Sequence, residues 1–94
     1  MKESIFNDYT NMVVNLFSIT KGDLFSKTKR RDIVDARHLL FYLCERRPMQ
    51  ISYIQNFMKN NGYKVGHSTV IYGIKKVGER VKSDPDYQYL IETL

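Results

Sequence analysis

One cysteine in 94 residues leaves Cys44 without a disulfide partner, and that usage fits a reducing compartment. Long hydrophobic runs are missing too: the longest, Leu39 to Cys44, has six residues, where a bilayer span takes roughly 20. The amino-terminal stretch lacks the basic-then-apolar order of a signal peptide, so the expected location is the cytoplasm, in association with the nucleoid. No GxxxxGK[ST] motif is present to cradle the phosphates of ATP. Cys44, His38 and His67 match no zinc-ligand spacing, and Cys44 sits in an apolar helical run, where it reads as a small buried hydrophobe. Asp84 and Asp86 read as helix-start residues, not as a paired acid and base. An enzyme, a bound metal and a cofactor are therefore not expected. Strand patterns, internal repeats and low-complexity tracts are also absent.

What the chain does have is positive charge, and it is unevenly placed. The net charge is +5, yet residues 21–82 carry fourteen Lys and Arg against five Asp and Glu, a net +9. Both ends are slightly acidic. Charge concentrated in this way points to a polyanionic partner, nucleic acid ahead of an anionic membrane surface. The length suits one domain, residues 1–94, with a modest core.

Apolar periodicity predicts an all-α chain of six helices, two of them short. In the leading helix, residues 1–17, the stripe Ile5, Tyr9, Met12, Val13, Leu16 and Phe17 faces the core, with Ser4 as N-cap. Thr20-Lys21-Gly22-Asp23 has the form of a capping box and opens a short helix through Leu24 and Phe25. A basic loop over 26–32 follows, with four cations between Lys27 and Arg31 and no apolar residue to pin it. Clustered Lys and Arg of this kind suit the negative potential of a narrow nucleic-acid groove. The next helix, Asp32 to Arg46, turns Ala36, Leu39, Leu40 and Leu43 inward; Arg37 and His38 lie off that stripe, in reach of a phosphate. Residues 50–82 then read as a helix-turn-helix: a short helix stopped by Asn60-Asn61-Gly62, a loop, and a second helix opening at His67. Asp84 as N-cap and Pro85 at the first helical position start a closing helix over 84–94.

The helix from His67 is the one the rest of the chain supports. Val70, Ile74, Val77 and Val81 form its inward stripe, while Lys75, Lys76, Arg80 and Lys82 occupy other faces. Its first turn offers His67, Ser68 and Thr69 beside backbone N–H groups that have no intrahelical acceptor. Such a start can touch phosphates and base edges, although short polar side chains there can also serve simply as caps.

Several stretches, taken in order, resemble the C-terminal DNA-binding domain of the bacterial chromosomal replication initiator DnaA. They are Phe17-Ser18-Ile19-Thr20-Lys21-Gly22-Asp23-Leu24-Phe25-Ser26-Lys27, Ala36-Arg37-His38-Leu39-Leu40-Phe41-Tyr42-Leu43, and His67-Ser68-Thr69-Val70 with Lys75-Lys76-Val77. The resemblance covers about Val13 to Leu94. It implies a Trp-repressor-like helical domain bound to double-stranded DNA, with the helix from His67 in the major groove and the basic loop in the adjacent minor groove. It also implies residue roles: Lys29 in the minor groove with Arg30 and Arg31 in reach, Lys27, Arg37 and His38 on the backbone, His67 and Ser68 on bases, Thr69 and Lys76 on phosphates, with Lys75 in the same basic set. The family usually has Gln where His38 stands. It has Arg-Asp where this chain has Val65-Gly66, which removes an acceptor for cytosine N4. The expected use is a stand-alone replication accessory factor or transcriptional regulator, from a phage or mobile element, with a replication or transcription protein as a further partner. The competing expectation is a protein-interaction module on the same fold, docking on a protein such as a host initiator.

Overall fold

The computed structural model describes residues 1–94 and contains six helices and no strand. They are α1 (Lys2–Phe17), α2 (Lys21–Leu24), α3 (Arg31–Arg46), α4 (Ile51–Asn60), α5 (His67–Ser83) and α6 (Pro85–Glu92). None is long and apolar enough to cross a membrane.

α3 is the central element, packed chiefly against α5 on one side and α1 on the other. It buries Ile33, Ala36, Leu39, Leu40, Phe41, Leu43 and Cys44. Phe6 and Val13 from α1, Ile54 and Met58 from α4, and Val70 and Val77 from α5 complete the same core. Each full burial of a Leu, Ile, Phe or Met side chain contributes about 1.5–3 kcal/mol relative to exposure. α3 lies tight against α5 at Gly73, where an added Cβ would lie 2.7 Å from His38 Cδ2 and 3.0 Å from Phe41 Cδ2. Only a residue without a side chain fits there.

Local signals set most of the boundaries. Thr20 Oγ1 accepts from the Asp23 N–H at 3.0 Å while Asp23 Oδ2 accepts from the Thr20 N–H at 3.2 Å, a closed capping box. Asp84 Oδ1 accepts from the N–H groups of Asp86 and Tyr87, with Pro85 at the first helical position. α4 ends at Asn61 and Gly62, whose φ of 94° lies in the left-handed region that glycine enters without a Cβ penalty. There the Gly62 N–H donates to the Lys59 carbonyl and the Tyr63 N–H to the Met58 carbonyl, the paired bonds of a Schellman stop.

α1 departs from expectation in two respects. Its cap position is Met1, and Ser4 lies inside the helix with its Oγ donating to the Met1 carbonyl. Its buried face is Phe6, Thr10, Val13 and Val14, whereas Met12 and Leu16 are exposed. Thr10 tolerates burial because its hydroxyl donates to the Phe6 carbonyl at 2.9 Å.

Candidate nucleic-acid interface

The basic loop between α2 and α3 is held from beneath by Arg37. That side chain is only 5 % exposed. Its Nε donates to the Leu24 carbonyl at 2.8 Å, and its Nη2 donates to the carbonyls of Ser26 and, at 3.1 Å, Thr28. The guanidinium also lies 4.4 Å from the Tyr63 ring centroid, a cation–π contact with the segment leading into α5. Burial pushes the Arg37 pKa down, with the Tyr63 hydroxyl opposing, but a guanidinium starts so high that it stays charged. This corrects the expectation that Arg37 lies off the inward stripe with its side chain reaching out to a phosphate: the residue is buried, and its Nε and Nη2 are spent on loop carbonyls, with Nη1 the one nitrogen without a protein partner. It also corrects the expectation of an unpinned loop, since the anchor is polar, not apolar.

Above that anchor, the cations divide into paired and unpaired groups. Arg30 makes a two-point contact with Asp32, Nη2 to Oδ2 at 2.8 Å and Nε to Oδ1 at 3.1 Å, which holds the Asp32 carboxyl below its usual range. Arg31 leans toward Asp35 at 3.5 Å. Lys27 and Lys29 are exposed and paired with no acid.

The start of α5 is open. Gly66 is its N-cap and no side chain caps it, so His67, Ser68 and Thr69 are exposed and not engaged in capping. The backbone N–H groups of those three residues have no intrahelical acceptor. Behind them Val65 is buried in the core, and Gln55 Nε2 donates to the Val65 carbonyl at 3.1 Å, fixing the turn from α4. Val65, at the break in the resemblance, is therefore a packing residue, and Gly66 is the cap.

Loop and helix start meet across a cleft of about 530 Å³ whose lining includes Lys27, Lys29, Arg31, Arg37, His38 and Thr69, together with Tyr63 and Val65. A second groove of about 560 Å³ adjoins it along the α3–α5 seam, where Arg31 and His38 are joined by Lys76, Arg80, Tyr72 and Tyr87. Of the remaining predicted residues, His67 and Ser68 sit in the exposed first turn beside Thr69, Lys75 is exposed further along α5, and Arg30 is tied to Asp32. Burial, and then the neighbouring cations Arg37, Lys76 and Arg31, hold the His38 imidazole below its ordinary pKa, with Asp35 opposing. His38 is thus mainly neutral at pH 7. Sequence reasoning missed Tyr63 as a partner of Arg37, Gly73 as the helix contact, and Ile71 and Tyr72 as exposed apolar groups on α5. The signal for Tyr63 was its place just past the glycine stop of α4, where a hydrophobic contact commonly follows.

A helical core that presents an uncapped helix start beside a cationic loop defines a helix-turn-helix DNA-binding domain. More particularly, the chain belongs to the bacterial dnaA protein helix-turn-helix family, whose model matches residues 8–77. It is a non-catalytic domain. It is 34% identical over 83 residues to the chromosomal replication initiator protein DnaA of Pelobacter propionicus, covering 88% of this chain and 18% of the relative. It is 30% identical over 79 residues to that of Lachnoclostridium phytofermentans, covering 83% and 17%. The protein of the same name from Flavobacterium psychrophilum is 28% identical over 98 aligned positions, covering all of this chain and 19% of the relative. The chain thus spans about a fifth of the length of the curated relatives it matches. No solved structure matches it.

Proposed function

We propose that the protein binds double-stranded DNA with a sequence preference, laying the first turn of α5 in the major groove and the Lys27–Arg31 loop in the adjacent minor groove. His67 and Ser68 address base edges. Thr69, Lys75 and Lys76 face phosphates, and Lys29 enters the minor groove with Arg30 and Arg31 beside it. His38 and Lys27 border the sugar–phosphate ridge between them, and Arg37 acts from below by shaping the loop. The biological use is occupation of sites in replication or transcriptional control.

One observation carries this reading: unpaired Lys27 and Lys29 stand across a single cleft from Thr69 at the uncapped helix start. A phosphate ridge has the charge to lie between them. At the Val65-Gly66 break, buried Val65 has a packing role of its own, so the change at that one position follows from the core.

The test is selection from a random duplex library, followed by binding of the enriched site at several salt concentrations. Five to seven phosphate contacts give a slope of log K against log salt of roughly −4 to −6. Lys29→Ala weakens all duplexes, whereas His67→Ala costs about 1–3 kcal/mol at particular base pairs. No enriched motif, or no binding at physiological salt, refutes the proposal.

A further inference from the structure

His38 is the histidine common to both grooves, lining the cleft under the basic loop and the seam beside α5. Its ring carbons Cδ2 and Cγ are pressed against Gly73, and its ring stands edge-on to Tyr72 with centroids 5.9 Å apart. The imidazole makes no hydrogen bond within the protein, yet no side-chain nitrogen or oxygen is both sealed from solvent and unpartnered. Its nitrogens therefore open to the grooves. We infer that His38 is a proton-coupled phosphate contact: it takes up a proton as a DNA phosphate enters the cleft, so that DNA affinity rises as pH falls. This rests on the DNA-binding reading above and adds to it a dependence on pH.

The charges around the ring set the direction. On α3 it faces Arg31, Asp35 and Arg37; on α5 Tyr72, Lys76, Glu79 and Arg80 line the same grooves; Lys27 and Lys29 reach in from the loop, Tyr63 from the turn and Tyr87 from α6. In the free protein, burial and the cations hold the imidazole neutral, and Asp35 only partly opposes them. A phosphate in the cleft brings negative charge against those same cations and offers the ring N–H an acceptor. Both changes favour the imidazolium. The complex then binds more protons than the free protein does, which by linkage makes binding tighter at lower pH. The gain is complete below the free-state pKa and gone above that of the complex. One coupled proton limits it to about tenfold per pH unit.

His38 and His67 are the only two histidines, which makes the test clean. Binding of a fluorescently labelled duplex, both random and library-selected, is measured from pH 6 to pH 8 at fixed salt for the parent, H38Q and H67Q. The parent tightens severalfold over that range and H38Q changes clearly less, while H67Q, weaker on the selected duplex at every pH for its lost base contact, keeps the parent's pH dependence. In parallel, calorimetry of the parent in buffers of different ionisation enthalpy reads proton uptake directly and needs no variant. Net uptake near pH 6.5 in the parent, lost in H38Q, supports the assignment. Binding that is equally pH-dependent in H38Q, or uptake lost only in H67Q, overturns it while leaving the DNA-binding reading intact. Absence of binding at every pH overturns both.

Discussion

Replacing Arg37 separates a residue that shapes the loop from one that touches DNA. Arg37→Ala strips the donors from the carbonyls of Leu24, Ser26 and Thr28 and removes the group stacked on Tyr63. A hydrogen bond to a charged donor contributes about 1.5–3 kcal/mol. Ser26 and Thr28 lie near the surface, where water can take over, so the largest share of the loss falls on the Leu24 carbonyl. With the lost stacking, the expected cost is about 3 kcal/mol, against a total stability of roughly 5–14 kcal/mol for a domain of this size. Arg37→Lys keeps the charge but cannot fork between carbonyls and lie flat on an aromatic ring, so it should lose about half as much. Urea unfolding followed by circular dichroism reads both. DNA binding of the two variants should weaken with the salt slope nearly kept, because Lys27 and Lys29 remain but are less well placed. Had Arg37 been an outward phosphate contact, Arg37→Lys would behave like the parent and Arg37→Ala would lower the slope by about one. Stability of Arg37→Ala within about 0.5 kcal/mol of the parent, the range of ordinary surface changes, would refute the anchoring role.

Four further outcomes test the packing and a helix cap. Gly73→Ala should destabilise by about 1–2 kcal/mol, overpacking against His38 and Phe41 outweighing the helix-propensity gain. Gly78→Ala, whose nearest neighbour is Tyr42 Cε1 at 3.8 Å, should stabilise by about 0.5–1 kcal/mol; thermal melts that rank the two the other way would discredit the α3–α5 contact. Asp84→Ala removes the cap of α6 and should cost about 1 kcal/mol, restored largely by Asn, as measured by denaturant midpoints. The Cys44 thiol is buried and its pKa is pushed up to about 12, so a disulfide reagent at pH 8 should label it only at the rate of unfolding. Labelling of the native protein within minutes would contradict its burial.

The readable parts of this fold were those whose signals are local. The capping box at Thr20, the Asp84-Pro85 start and the Asn60-Asn61-Gly62 stop each carry their hydrogen bonds within a few residues, and each is where the sequence puts it. In α1 the expected stripe holds at Val13, with Ile5, Tyr9 and Phe17 packed half-buried against the core, but Met12 and Leu16 face out while Phe6 and Thr10, about 100° around the helix, are buried. A polar Thr10 argues against that face unless its bond to the Phe6 carbonyl is known. Val65 reads as loop because its burial depends on what α4 and α5 do on either side of it. Gly73 has a meaning only once α3 is laid against α5.

Arg37 is the most instructive case, since an arginine in a basic chain is read by default as another hand held out to an anion. Its actual partners are carbonyls 9 to 13 residues earlier in the chain and a tyrosine 26 residues later. Through them one guanidinium joins the two halves of the interface, the loop before α3 and the turn before α5, to the same buried helix. The loop that carries Lys29 is tied to α3 by hydrogen bonds, and the turn before α5 rests on the same guanidinium through the Tyr63 ring. A groove-straddling contact needs that kind of rigidity, because ordering a loose basic loop at the moment of binding would cost affinity for each residue fixed. The charge that matters most for placing the cations is therefore one that is itself almost wholly buried.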